Sequence, residues 1–204
     1  MRDITLLRDT LCRAIIRQRP STSDFDLHPE ITLPEGRKLR DAGVLVAIRQ
    51  TDSGPVVVLT KRSSALKHHP GQIAFPGGKV DEGDGGVVGA ALREAEEEIG
   101  LPSDAVDVLG TLPAHETVTG FLAVPVVALI TRDITYRREA GEVEEVFEVP
   151  LDHLMAIGNY SVQARRWRGQ RRAYFTVPWG PYYIWGATAR MLRALAERMA
   201  DDPD

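Results

Sequence analysis

Four of the five residues from Glu94 to Glu98 are glutamates, and their spacing decides what they can do together. In the run Arg93-Glu94-Ala95-Glu96-Glu97-Glu98-Ile99-Gly100, successive residues of an α-helix advance by about 100°. With Glu94 at zero, Glu98 falls at roughly +40° and Glu97 at roughly −60°, so three carboxylates share an arc of about 100°. Glu96 falls on the far side, near 200°. Val88, Leu92, Ala95 and Ile99 cluster between about 100° and 160° and predict the buried stripe. Like charges three and four residues apart cost a helix a few tenths of a kcal/mol per pair. Converging carboxylate oxygens suit a hard divalent cation, Mg²⁺ or Mn²⁺, which offsets that repulsion. Arg93, four residues before Glu97, is placed to hold one carboxylate by charge-assisted hydrogen bonds. Taken alone, the helix also fits a plainer description, a solvated acidic face with an ordinary ion pair.

The flanks bear on that choice. Gly77-Gly78 precedes the helix, and Gly83, Gly85 and Gly86 keep the connecting loop thin. Glycine permits close backbone approach, and a helix N-terminus favours negative charge.

The remaining elements are those that must position this segment. Ile4, Leu7, Leu11 and Ile15 predict an amphipathic helix from Ile4 to Ile16, ended near Pro20. Residues 20–38 are rich in Pro, Ser, Asp and Glu and read as a connector. Gly43–Ile48 and Val56–Leu59, split by Thr51-Asp52-Ser53-Gly54, predict a hairpin. The inner helix is expected at Val87–Ile99, with Gly100 as its stop. Strand-like runs follow at Val106–Leu109, Phe121–Ile130, Glu145–Val149 and Ala173–Val177, then a helix at Ala187–Met199. The chain thus divides into an N-terminal helix and connector (1–38), a main domain (39–200) and a frayed acidic tail (201–204). Its class is α/β (α+β), a mixed sheet layered with helices.

Composition excludes several functions. The 204 residues carry a net charge of −4, against the basic balance of a nucleic-acid binder. Cys12 is the only cysteine, so a disulfide framework and a cysteine zinc site are excluded within one chain. No apolar run reaches the roughly 18 residues that span a membrane, and Met1-Arg-Asp-Ile-Thr lacks a signal-peptide core. The expected compartment is the cytoplasm.

Gly78-Lys-Val-Asp-Glu-Gly-Asp84 followed by Arg93-Glu94-Ala95-Glu96-Glu97-Glu98-Ile99-Gly100-Leu101 closely resembles the Nudix box of the Nudix hydrolases. The second half matches at every fixed position. In the first half Asp84 stands for the usual Glu, and one extra residue separates it from Arg93, as in members resembling coenzyme A diphosphatases. Leu59-Thr60-Lys61-Arg62 through Lys67 to Phe75-Pro76-Gly77-Gly78 looks like the coenzyme A signature that precedes the box in that branch. Lys67 stands there in place of Arg, keeping the charge without the planar fork.

The resemblance covers about residues 40–195 and implies a Nudix fold, a mixed β-sheet sandwiched between α-helices. It implies hydrolysis of coenzyme A to 3′,5′-ADP and 4′-phosphopantetheine with Mg²⁺ or Mn²⁺. Glu94, Glu97 and Glu98 are then the metal ligands and, with Arg93, the catalytic set. Lys61, Arg62, Lys67, Gly77 and Gly78 are the expected substrate-binding residues, and Glu142 and Glu145 are candidates for a general base brought in from a loop. Many relatives are dimers, so a homodimer is compatible. Two other readings stay open: a Nudix diphosphatase acting on ADP-ribose or another nucleotide, and a non-catalytic nucleotide-sensing module.

Overall fold

The computed structural model describes residues 4–34, 36–167 and 169–200. The expected acidic tail therefore lies outside the described residues. In chain order the elements are α1 (Ile4–Ile16), β1 (Thr22–Ser23), β2 (Arg40–Thr51), β3 (Gly54–Arg62), β4 (Ile73–Ala74) and β5 (Gly77–Lys79). After these come α2 (Val87–Ile99), β6 (Val106–Thr111), β7 (His115–Glu116), β8 (Phe121–Ile130) and β9 (Val143–Pro150). The chain continues with α3 (Leu151–Met155), β10 (Ser161–Trp167), β11 (Gln170–Thr176) and α4 (Gly186–Ala200).

One mixed sheet runs in the order β1-β7-β8-β2-β3-β4, with β5 added to β2, β6 to β8 and β9 to β3. β2 lies at its centre, parallel to β8 and antiparallel to β3. Side chains alternate along a strand, and β2 uses both faces. Val46 and Ile48 join the core that α1, α3 and α4 cover, with Leu11, Leu154, Leu192 and Leu195. Leu45 and Ala47 join a second core under α2, with Ala91, Ala95, Ile99, Val126 and Ala128. Burial on both faces accounts for the near-continuous apolar runs of β2 and β8. This is the mixed sheet between helices that the sequence predicts.

The predicted α1, α2 and β8 match in extent, and α4 runs one residue further at each end. Gly100 ends α2 in the left-handed conformation, with φ 67°, as a C-terminal stop should. Val88 and Leu92 of the predicted stripe are only partly buried, but they pack against the α2 core. Gly43 of β2 is what lets α2 lie so close: a Cβ there would fall 1.9 Å from the Val87 carbonyl oxygen.

Two departures are structural. β9 begins at Val143, before the expected Glu145. The expected strand at Ala173–Val177 is the outer part of a separate two-stranded hairpin, β10–β11. The connector is strapped to the body by buried histidines. His115 meets the Thr22 hydroxyl at 2.9 Å and Asp24 at 3.2 Å, and His28 Nε2 accepts from the Ala173 backbone N–H at 3.0 Å.

Candidate active site

The site is assembled from α2 and three backbone segments that close over it. β5 pairs with β2 so that Gly43 faces Gly78 and Val44 faces Gly77. That register lays the two glycines against the acidic face of α2. The backbone N–H of Gly77 donates to Glu98 Oε2 at 3.2 Å. A Cβ on Gly78 would sit 2.4 Å from Glu94 Oε1, and one on Gly77, where φ is 151°, would sit 2.4 Å from the Gly43 carbonyl oxygen. At Gly77 no side chain fits, and at Gly78 one would fit only by pushing the Glu94 carboxylate aside.

The second segment runs over residues 137–142. Arg137 and Glu139 donate backbone N–H groups to the carbonyls of Ile99 and Glu98, at 2.9 and 2.8 Å. These bonds satisfy carbonyls that a helix end leaves open. The third is the loop after β3, tied in where Ser63 N–H meets the Glu142 carbonyl at 2.8 Å.

The three carboxylates of the predicted arc have separate fates. Glu98 is 4% exposed. Burial pushes its carboxyl up to about 7, with Glu94 and Glu142 adding repulsion, while the Gly77 N–H and the Arg62 charge pull back. Glu94 is half-buried and also raised, first by burial and then by Glu97 and Glu142, against the opposing pull of Arg93. The side chain of Glu97 is 60% exposed and turned to Arg93, whose Nη1 donates to it at 3.0 Å. The helix thus divides its acidic face into a covered half and a wet half.

Arg93 also donates from Nε to Asp84 Oδ1 at 2.7 Å, which holds the Asp84 carboxyl below the usual range. Asp84 in turn accepts from the Asp81 N–H at 2.7 Å. Sequence reading gave Asp84 no part. The structure makes it the clamp that fixes Arg93 and closes the 81–84 turn.

The predicted substrate cations are also divided. Lys61 Nζ bonds Glu144 at 2.6 Å, an ion pair that holds Glu144 below its ordinary range. Arg62 is oriented otherwise: its charge acts on Glu98, and its Nε is buried without a hydrogen-bond partner. Lys67 stands exposed on the loop. Of the two candidate bases, Glu142 acts on both Glu94 and Glu98, whereas Glu145 accepts the Tyr182 hydroxyl at 2.5 Å.

Buried carboxylates that raise one another's affinity for a proton present a donor set for a hard cation. Among the described residues, no three His, Cys, Asp or Glu side chains are gathered tightly enough to hold an ion unaided. Glu98 and Glu94 lie side by side against the Gly77–Gly78 backbone and fit Mg²⁺ or Mn²⁺, since Mg²⁺ is usually bound by one or two carboxylates, with waters and substrate phosphates completing the shell.

Such a helix, set on a mixed sheet and closed by glycine backbone, offers carboxylates to a hard cation and open backbone to the phosphate oxygens such a cation would draw in. A family model described as the NUDIX domain matches residues 39–170. The chain is 42% identical over 165 residues to the uncharacterized Nudix hydrolase NudL of Cronobacter sakazakii, covering 80% of this chain and 85% of the relative. To the protein of the same name in Escherichia coli O1:K1 it is 41% identical over 177 residues, covering 87% and 91%.

Among solved structures, the NUDIX domain of Shewanella oneidensis NrtR complexed with ADP ribose has a TM-score of 0.51 at 16% identity. That match covers 85% of this chain and 94% of that one. A MutT/nudix family protein from Enterococcus faecalis has a TM-score of 0.50 at 16% identity, covering 86% and 68%. These two show the fold alone. The chain belongs to the Nudix family and is a hydrolase acting on pyrophosphate bonds. Nudix hydrolases generally use divalent cations such as Mg²⁺ or Mn²⁺. Among the described residues, no helix is long and apolar enough to cross a membrane.

Proposed function

We infer that the protein hydrolyses the diphosphate of coenzyme A, or of an acylated form, to 3′,5′-ADP and 4′-phosphopantetheine. Glu98 and Glu94 would hold the Mg²⁺ or Mn²⁺ from the covered half of the helix, with Glu97 a peripheral third ligand at its wet edge. The hydrolase domain is taken as 39–200 after the helix and connector of 1–38. One observation carries the reading. The stretch 59–78 that resembles the coenzyme A signature forms the end of β3, a loop, β4 and β5, and it ends with Gly77 and Gly78 against Glu98 and Glu94. Signature and acidic helix are parts of one site.

When bound, the cation screens the diphosphate oxygens and lowers the pKa of a water. The chain's residues do the rest. Gly77 and Gly78 admit the diphosphate close to the backbone, because neither carries a side chain. Arg62, with a buried and unpartnered Nε, receives a non-bridging oxygen. Lys61 and Lys67 extend the positive flank on which the substrate phosphates settle. Glu142 takes the proton of the attacking water: it is close enough to act on Glu94 and Glu98, while Glu144 and Glu145 are engaged by Lys61 and Tyr182. Arg93, clamped by Asp84, positions Glu97 and Glu94.

The test is product analysis with coenzyme A and Mg²⁺ or Mn²⁺ in ¹⁸O-labelled water. The expected products are 3′,5′-ADP and 4′-phosphopantetheine, with the label in one of them. A higher kcat/KM for ADP-ribose than for coenzyme A would overturn the substrate assignment.

A further inference from the structure

Between Asp152 and Glu197 the sequence holds arginines but no carboxylate, in a chain whose net charge is −4. Much of that positive charge is gathered in the β10–β11 hairpin. Its register sets Arg165 opposite Arg172 and Arg166 opposite Arg171. Like charges directly opposed across a ladder destabilise it. The two pairs point to opposite faces, because side chains alternate along a strand.

The faces differ in what accompanies the charge. Arg165 and Arg172 share theirs with Tyr174. There the Arg165 guanidinium lies 4.2 Å from the centroid of the Trp185 ring, and Arg172 approaches the Phe25 ring at 5.8 Å. Tyr174 meets Trp185 edge-on with centroids 5.0 Å apart, and its hydroxyl is 3.3 Å from that of Tyr183. Tyr183 is 45% exposed. The opposite face carries Arg166 and Arg171 beside Ala164, Ala173 and the exposed Val162.

The aromatic face adjoins the loop that leads to Gly77. Thr176 of β11 forms a bridge with Trp185. Gly186, the residue after Trp185, lies near Gln72, and the Thr188 hydroxyl donates to the Ile73 carbonyl at 3.0 Å. At the end of β3 Lys61 is paired with Glu144 and the Arg62 charge acts on Glu98, so both cations already have carboxylate neighbours. Arginine forks suit phosphate oxygens, and exposed aromatic rings suit a nucleobase.

We propose that this face, Arg165 and Arg172 with Tyr174, Tyr183 and Trp185, binds a phosphorylated nucleoside. The base lies on the aromatic shelf, and the phosphomonoester meets the arginines. Taking that ligand to be the 3′-phosphoadenosine end of the substrate rests on the coenzyme A reading.

Two double variants test it. R165Q/R172Q removes charge from the aromatic face, and R166Q/R171Q removes equal charge from the opposite face. kcat/KM is measured for coenzyme A and for dephospho-coenzyme A, which differ only in the 3′-phosphate. Calorimetry measures binding of 3′,5′-ADP against 5′-AMP. The wild type is expected to prefer the 3′-phosphorylated member of each pair by about tenfold or more. R165Q/R172Q brings both ratios close to one, while R166Q/R171Q keeps them. R165Q/R172Q relieves a like-charge pair and gives up the contacts with Trp185 and Phe25, so a melting temperature close to wild type is expected. Loss of preference with kcat/KM for dephospho-coenzyme A kept is not unfolding.

Wild-type ratios near one, ratios that survive R165Q/R172Q, or equal collapse in both double variants would each overturn the proposal. If coenzyme A is not hydrolysed, yet R165Q/R172Q alone abolishes the preference for 3′,5′-ADP, the coenzyme A reading falls and the site stands.

Discussion

The acidic helix and the arginine hairpin both crowd like charges together, and the fold treats them in opposite ways. On α2 the backbone of β5 and the 137–142 segment close over Glu94 and Glu98. On β10–β11 Arg165, Arg166 and Arg171 stay at the surface, and Arg165 lies over the Trp185 ring. A covered carboxylate has lost its water and must find a proton or a cation in its place. An exposed guanidinium keeps its charge under all ordinary conditions and waits for an anion. The same contrast runs within α2 itself, between the covered Glu98 and the wet Glu97. Burial, more than the number of carboxylates, therefore marks the reactive part of the helix.

That contrast can be broken by substitution, and the largest effect belongs to Glu98. E98Q keeps the shape and the Gly77 contact but removes the charge, so turnover should fall by about 10³-fold, the scale of several kcal/mol of lost charge stabilisation. E97Q, on the wet half, should lose much less, and equal losses would erase the distinction between the two halves. A second test keeps every carboxylate and moves one. G78A places a methyl 2.4 Å from Glu94 Oε1, and a flexible side chain can retreat from it. Turnover should drop by about tenfold to a hundredfold, as expected for a misplaced group, while the far-ultraviolet circular dichroism is kept. Wild-type turnover in G78A would show that the position of Glu94 does not matter.

The smallest expected effect sharpens the division between neighbours. R62Q should lower kcat/KM by about tenfold or more, because a charge-assisted contact is removed. K61Q should lower it only a few-fold, because Lys61 is already spent on Glu144 at the surface. The reverse order would contradict the roles given to the two residues.

Much of this was legible in the sequence, and the rest was hidden for identifiable reasons. α1, α2 and α4 each bury a stripe at helical spacing, and β2 and β8 bury both faces, so their apolar patterns speak clearly. β4, β5, β1 and β7 are two or three residues long, too short to show any period. β10 faces water along much of its length, so the run from Ser161 to Trp167 carries no alternation of apolar residues to read. On α2 a helical projection placed Glu94, Glu97 and Glu98 on one arc, but it holds no knowledge of the strand that covers one edge of that arc. The Asp84 clamp was hidden for a similar reason: its bond to Arg93 depends on how the 81–84 turn folds. Lys61 and Arg62 are adjacent and chemically alike, and only the partner strand β9, which supplies Glu144, separates their roles.

The covered carboxylate also fixes how stability responds to pH. Folding raises the Glu98 carboxyl from its ordinary 4.5 to about 7, so the folded chain binds that proton more tightly than the unfolded one does. Its contribution is fully present below pH 4.5 and is lost as pH rises through about 7. The loss is about 3 kcal/mol at most. Metal-free protein should therefore melt at a lower temperature at pH 8 than at pH 5, by a margin that E98Q reduces.

The most direct test joins that proton to the cation. Mn²⁺ is titrated into metal-free protein at pH 7 by calorimetry, in two buffers of different ionisation enthalpy. If Glu98 is a ligand, wild-type protein releases about half a proton per binding event at its midpoint, and E98Q binds more weakly and releases almost none. Equal affinity and equal proton release in the two proteins would contradict the claim that the covered carboxylates hold the cation.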